Sequence, residues 1–330
     1  MANNNPTVEG AARAFLKNIS ATLLPHTARS YRSDLLGESG FLRSLPQHIK
    51  MDMPVASLRE EMAAQYFQDL VLAGLAPKTF KRRLAAVRRF FRYLSALKQA
   101  NVSADRLTEL ISAGALSPRP GEPQRFDELE PLILRVFEHA LELRPQGELT
   151  DRLIQERNRA FIVVLADTGM RVHEACKLKR SDVNWQTGRG IVIGKGKKSG
   201  VILFSKRSME AIKRYLALRS QMDGATGVSL GSLPLFARHD PGAGKKVLAI
   251  STQTGESIVH DMSRQALGAD YDERLTCHKF RHYFVTRILR ETGNLKIAQE
   301  MARHANIVTT QGYAHIIDAE IDRVHKEIFR

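Results

Sequence analysis

The chain has 330 residues, 43% of them hydrophobic, and carries a formal net charge of +15 at neutral pH. That length exceeds a single core of the usual size, about 100–150 residues, and the apolar fraction excludes a disordered chain. The charge points to a polyanion, with a merely basic soluble protein as the alternative reading. The excess is spread over both halves: residues 1–120 hold 17 Lys and Arg against 9 acids, and residues 121–330 hold 33 against 26. A polyanion touching both parts fits better than one basic tail. No apolar run approaches the roughly 18 residues of a membrane span, and the start MANNNPTVEG lacks the basic and apolar regions of a leader. The two cysteines, Cys176 and Cys277, lack metal-ligand spacing and suit a reducing compartment. These features predict a cytoplasmic protein.

The first hundred residues read as helices. Val8, Ala11, Ala12, Phe15 and Ile19 lie on one face of a helix over residues 7–19. A second helix spans residues 27–36, before the turn signals Gly37 and Gly40. A third starts near Ser57, read as an N-cap with Glu60 at N3, and runs to Ala73 before Gly74. In the fourth, over 78–96, Phe80, Leu84, Val87, Phe91 and Leu94 step along one face. The remaining surface carries Lys78, Lys81, Arg82, Arg83, Arg88, Arg89 and Arg92 with no acid in the segment. A solvated charged face normally mixes signs, so this one reads as phosphate-binding, with Lys78, Lys81, Arg82, Arg88, Arg89 and Arg92 the candidate contacts. The proline- and glycine-rich stretch over 111–127 reads as an extended linker. The expected domains are 1–115, a linker at 116–125, and 126–330.

The second part opens with helices over 127–143 and 151–167. Thr168-Gly169 breaks the latter and residues 171–178 restart as a short helix. Residues 191–193 and 201–204 flank the turn GKGKKSG and predict a hairpin. Residues 207–220 are helical, and 222–250 are Gly-rich and irregular. Further helices are expected over 252–267, 278–291, 294–304 and 318–329.

Four fragments carry functional groups. In HKFRH, His278 and Arg281 stand at i and i+3 and project from one face, so they can grip one phosphate, whereas His282 turns further round and need not join them. Alone, such a pair is equally a core histidine beside a surface arginine. In TGMRVHEACKL, Arg171 falls in the first helical turn, where backbone amides also favour an anion. Glu174, at i+3, can lock that arginine in place, or the two form an ordinary helix-start salt bridge. Lys195 in the hairpin turn can protonate a leaving oxygen, while Lys197 and Lys198 read as solvated. Tyr313 bears a phenol of reference pKa about 10, which becomes a nucleophile only where cations favour the phenolate. Elsewhere it is a half-buried aromatic. His304, nine residues before it, can bond the phosphate or the nucleophile.

Together, in this order, the fragments resemble the tyrosine recombinases of the phage integrase family, which include the Xer-type enzymes. The matching boxes are Thr168 to Arg171 with Glu174, Gly194-Lys195-Gly196, His278 to Arg281 with His282, His304, and Thr309-Thr310-Gln311-Gly312-Tyr313-Ala314-His315. HTARSYRSDL and APKTFKRRLAAVRRFFRYL resemble the family's helical core-binding domain, so the likeness spans nearly the whole chain.

The resemblance implies a mainly α fold with a small β-hairpin or sheet. It implies a SAM-like helical DNA-binding domain at 1–115 and an α+β catalytic domain at 126–330, clamping duplex DNA. Arg171, His278, Arg281 and His304 would bind the scissile phosphate, Lys195 would be the general acid, and Tyr313 the nucleophile. The chemistry would need no metal, ATP or other cofactor. Also implied are a homotetramer on DNA and accessory DNA-bending or directionality proteins. The helix at 318–329, with its stripe Ile321, Val324, Ile328 and Phe329, either docks on a neighbouring protomer or packs on its own domain. A nucleoid-associated location follows, and the task would be integration, excision or resolution of a mobile element or replicon. A non-catalytic DNA-binding protein on the same scaffold and a topoisomerase IB-like enzyme are the alternatives. The chain departs from the family's pattern in three places. Ala302-Arg303 replaces Leu-Gly, so that the added cation either reaches DNA or changes the helix end. Cys277 replaces a frequent proline, which predicts a looser helix start, and His173 replaces a small polar residue.

Overall fold

The computed structural model describes residues 6–46, 49–114, 116–118, 128–193, 199–240, 242 and 246–303. The chain divides into two compact units, Met1–Gln124 and Arg125–Arg330. Among the described residues no helix is long and apolar enough to cross a membrane. Most of the expected linker, residues 119–125, lies outside the described residues.

The first unit contains helices α1 (Val8–Thr22), α2 (Pro25–Leu36), α3 (Glu60–Leu72), α4 (Pro77–Ala96) and α5 (Ala104–Ala113). α4 is the organising element, packed against the other four. Its buried stripe Phe80, Ala86, Val87, Phe90, Phe91 and Leu94 recurs at helical spacing. The stripe meets Phe15, Phe41 and Phe67, with ring centroids 5.3 Å (Phe15–Phe90), 5.9 Å (Phe41–Phe91) and 5.1 Å (Phe67–Phe80) apart. Full burial of one such side chain stabilises by about 1.5–3 kcal/mol, so these rings dominate this core.

Two local expectations give way here. Ser57 does not cap α3. It ends a 3₁₀ turn, Val55–Ser57, because Val55 and Leu58 are drawn fully into the core and leave Arg59 extended before Glu60. The Glu60 carboxylate instead accepts the Ser103 N–H at 2.6 Å, at the start of α5. α5 itself was not foreseen, and the segment assigned to the linker from residue 111 begins inside it. Ser103 caps it by accepting the Asp105 and Arg106 N–H groups, and Leu107 and Ile111 bury its inner face.

The second unit contains α6 (Glu130–Glu142), α7 (Leu149–Thr168), α8 (Val172–Lys177), β1 (Val183–Asn184), β2 (Arg189–Ile193), β3 (Ser199–Leu203), α9 (Lys206–Leu218), α10 (Ser220–Gly224), α11 (Thr252–Leu267), α12 (Cys277–Thr292) and α13 (Leu295–Ala302). α7 is the central rod, buried continuously from Ala160 to Ala166 and packed against α6, α9, α11 and α12. The expected hairpin is present with Ile191 opposite Val201 and Ile193 opposite Ser199, and the unforeseen β1 completes an antiparallel sheet in the order β1-β2-β3.

The irregular stretch after α9 is organised by one buried arginine. Arg219 pairs with the buried Asp223 and donates to the Tyr215 hydroxyl and to the Pro234 and Leu235 carbonyls. This satisfies main-chain acceptors that no regular element serves. His239 bonds the same Tyr215 hydroxyl at 2.8 Å. Burial, then repulsion by Arg157 and Arg219, lowers the His239 pKa to about 4, so its ring is neutral at physiological pH.

Candidate active site

The site begins where α7 stops. Gly169 closes that helix in the left-handed region, with φ 57°, and a Cβ there would lie 2.3 Å from Phe284 Cδ1 on α12. Only glycine meets both demands. The turn places Arg171 at the N-cap of α8, one residue outside the helical turn in which it was expected. Glu174, at N3, reaches back: its Oε2 accepts the Arg171 N–H at 3.0 Å, and its Oε1 receives Arg171 Nη1 at 3.1 Å. The Glu174 side chain is only 1% exposed, whereas that of Arg171 is 38% exposed. The carboxylate is thus a buried anchor for a guanidinium that still faces solvent.

α12 supplies the next groups. Its first amide, Cys277 N–H, donates at 3.1 Å to the Glu256 carboxylate of α11. The expected looseness from the missing proline therefore does not arise, because a neighbouring acid takes the orphan donor and favours the positive helix end. Burial, reinforced by Glu256, raises the Cys277 pKa far above the ordinary thiol range, and the same pair of effects lifts Cys176 to about 12. Neither sulfur is a nucleophile at neutral pH. His278 is exposed, and the buried His282 packs its ring edge-on at 4.4 Å between centroids. His282, which need not join the phosphate-gripping pair, supports the His278 ring through the i, i+4 stagger.

Arg281 is 2% exposed, and both ends of its fork are spent on main chain. Nη1 donates to the Gly169 carbonyl at the end of α7, and Nη2 to the Ala302 carbonyl at the end of α13. One planar side chain thereby joins the TGMR segment to the segment that leads into His304.

Arg303 shapes this site in a way that sequence reasoning left open. It closes α13 in the left-handed region at φ 56°, where glycine would be unstrained and another residue pays about 1–2 kcal/mol. Its Nη2 lies 2.7 Å from Glu174 Oε2, and its side chain is 14% exposed. Burial alone would raise the Glu174 pKa. Arg303 foremost, then the amide and guanidinium of Arg171, more than offset this and hold the carboxyl below its ordinary range.

Lys195, His304 and Tyr313, like the helix expected over 318–329, lie outside the described residues. β2 and β3 pair up to Ile193 and Ser199, the residues that flank the turn containing Lys195. Among the described residues no cluster of three or more His, Cys, Asp or Glu side chains is arranged to hold a metal ion.

The basic face of α4 is less uniform than its sequence. Lys78, Lys81, Arg82, Arg89 and Arg92 are exposed and Arg88 is half-buried. Acids absent from the segment arrive from neighbouring helices. Asp34 of α2, 1% exposed, pairs with Arg82 at 3.0 Å, and Asp105 of α5 lies 3.8 Å from both Arg88 and Arg92. Arg83 donates to the Ser39 carbonyl and the Tyr66 hydroxyl and so ties the unit together. Lys78, Lys81 and Arg89 enter no ion pair among the described residues. Arg88, Arg89 and Arg92 line a concavity of about 530 Å³ with Tyr31 and Tyr93.

Two helical units, one with a cation-rich helix face and the other with a guanidinium cluster braced on buried carbonyls and a buried acid, define a polyanion-handling enzyme class. Comparison with known proteins makes this specific. Residues 148–320 match the phage integrase family and residues 13–98 its N-terminal SAM-like domain. The chain belongs to the phage integrase family, the tyrosine-type site-specific recombinases. Curated relatives include the tyrosine recombinase XerC of Thermodesulfovibrio yellowstonii, 24% identical over 88% of this chain and 86% of its own length. The tyrosine recombinase XerD of Yersinia pestis is 27% identical over 98% and 97%. Among solved structures, the XerH site-specific recombinase bound to palindromic difH substrate aligns with TM-score 0.66 at 18% identity, covering 99% of this chain and 98% of that one. A lambda integrase dimer bound to a COC′ core site aligns with TM-score 0.63 at 15% identity, over 93% and 95%.

Proposed function

We propose that this protein cuts and rejoins double-stranded DNA at specific sites through a 3′-phosphotyrosyl intermediate, without metal or ATP. The observation that carries the reading is the Arg281 fork, which braces the ends of α7 and α13 beside the Glu174-anchored Arg171. Fixed cations of this kind stabilise charge on a pentacoordinate phosphorus without reorganising during the reaction. In this reading Arg171, His278, Arg281 and His304 surround the scissile phosphate. The Tyr313 oxygen attacks phosphorus, the bond to the 5′-oxygen breaks, and Lys195 gives that oxygen its proton. A 5′-hydroxyl from a partner strand then displaces Tyr313, and the conserved bond energy removes any need for ATP.

Residues 1–115 would serve as the core-binding domain, joined by 116–125 to a catalytic domain at 126–330. Four copies would assemble on DNA through the segment at 318–329, with accessory DNA-bending or directionality proteins, for integration, excision or resolution. The test is a nicked suicide duplex built from a site selected out of randomised DNA and incubated with the protein in EDTA. The protein is expected to become covalently attached at the 3′ side of the break. Absence of an adduct until Mg²⁺ is added would overturn the mechanism, and relaxation of any supercoiled plasmid regardless of sequence would favour a topoisomerase.

The α4 face yields a second expectation. Arg89 is exposed and in no ion pair among the described residues, so Arg89→Ala should weaken binding and reduce the salt slope by about one. Arg83→Ala should instead lower the melting temperature, because Arg83 holds Ser39 and Tyr66. Filter-binding titrations across salt concentrations, read beside thermal melts, separate the two. An unchanged slope for Arg89→Ala would return this face to ordinary solvation.

A further inference from the structure

Glu174 is shared by two guanidinium groups. Its Oε1 engages Arg171 Nη1, while its Oε2 takes both the Arg171 N–H and Arg303 Nη2. A carboxylate beside a lone arginine normally chelates the fork through both oxygens. Here the Arg171 N–H and Arg303 Nη2 share Oε2, so Glu174 grips the Arg171 fork through one amine only. The stem of Arg303 is accommodated as well as its head. A Cβ on Gly200 of β3 would meet Arg303 Cδ at 2.7 Å, so the strand is notched where the side chain crosses it. Apart from Arg303, Lys98 is the one non-glycine residue with positive φ among the described residues, so the backbone here bends to a rare conformation to bring this cation inward.

We infer that Arg303 is a positioning residue: by holding Glu174 from the end of α13, it sets the guanidinium of Arg171 and fastens the chain entering His304 to α8 and β3. This rests on the recombinase reading given above. It makes Arg303 an internal brace rather than a DNA contact. A glycine at this position would relax the backbone but leave Glu174 Oε2 held by the Arg171 N–H alone.

The experiment measures two quantities for each variant on the suicide duplex: the single-turnover rate of adduct formation at saturating protein, and the dissociation constant across salt. Arg303→Gly is expected to bind DNA within about twofold of wild type with an unchanged salt slope, while its adduct rate falls by about tenfold or more. Arg303→Lys should recover part of the rate, since it restores the charge without the fork. Gly200→Ala, which obstructs the stem while leaving Arg303 in place, should lower the rate in the same direction. In a Glu174→Gln background, adding Arg303→Gly should change the rate by less than about twofold, because the two side chains act as one unit.

A wild-type rate in Arg303→Gly would overturn the inference, and so would independent, multiplicative effects of the Arg303 and Glu174 changes. Weakened binding with a salt slope reduced by about one would make Arg303 a direct phosphate contact and overturn it too. If Arg303→Gly does not fold, Arg303→Lys and Gly200→Ala decide the matter by the same readout. Failure of the wild-type protein to form any adduct is a separate result that overturns the recombinase reading itself.

Discussion

Tyr313→Phe is expected to abolish covalent capture of DNA while leaving DNA binding intact. The change removes one oxygen and almost no volume, so neither the fold nor the electrostatic contact with phosphates should move. Without that oxygen no group at this position can form a bond to phosphorus. Loss of a nucleophile typically costs at least about four orders of magnitude in rate, which places the variant below detection on a denaturing gel. A phenol of ordinary pKa, about 10, is a weak nucleophile at neutral pH. The proposed role therefore depends on cations that favour the phenolate, the part proposed above for Arg171 and Arg281. The check runs the suicide duplex with wild type and variant side by side, with a mobility shift as the binding control. An adduct formed by Tyr313→Phe would transfer the nucleophile to another residue.

How much of this was legible in the sequence depended on the range of the interactions. Regular helices with a strong apolar stripe were readable to within a few residues, and the extent of α11 agrees with its expected 252–267 span. Its Ser251 cap and its Gly268 end are local signals. Arg171 and Glu174 were readable for the same reason, since three residues on a helix start are neighbours by geometry. α5 gives a weak signal because it is short, buries only Ala104, Leu107 and Ile111, and runs straight into a proline- and glycine-rich stretch. Ser57 was misplaced because a local capping pattern lost to burial of Val55 and Leu58.

The long-range facts had no local signal at all. Asp34 lies 48 positions before Arg82, so α4 reads as free of acidic neighbours when it is not. Arg281 meets Gly169 across 112 positions of sequence, and Arg303 meets Glu174 across 129. Sequence identified Arg303 as an anomaly against the family's pattern, but its partner appears only once α8 and α13 are brought together. The His278–His282 contact is a local one, because i and i+4 on a helix always lie close.

Arg281 should prove the least replaceable of the described site residues, and Arg281→Lys should be nearly as damaging as Arg281→Ala. The fork serves two carbonyls on segments far apart in sequence, and a lysine has one nitrogen with which to reach them. Hydrogen bonds from a charged donor contribute about 1.5–3 kcal/mol each, so losing both should destabilise the second unit by about 3–6 kcal/mol. Urea titrations of the full chain would show this as a lowered midpoint of the second unit's transition. Adduct formation should fall further than folding alone explains, by about a hundredfold to a thousandfold at temperatures where the variant remains folded. The reason is geometric: the carbonyls that Arg281 holds lie two residues before Arg171 and two residues before His304, so releasing them frees two groups proposed to meet at the phosphate. An Arg281→Lys protein with wild-type stability and wild-type adduct rate would show that a point charge suffices there, and the fork would lose its place at the centre of the site.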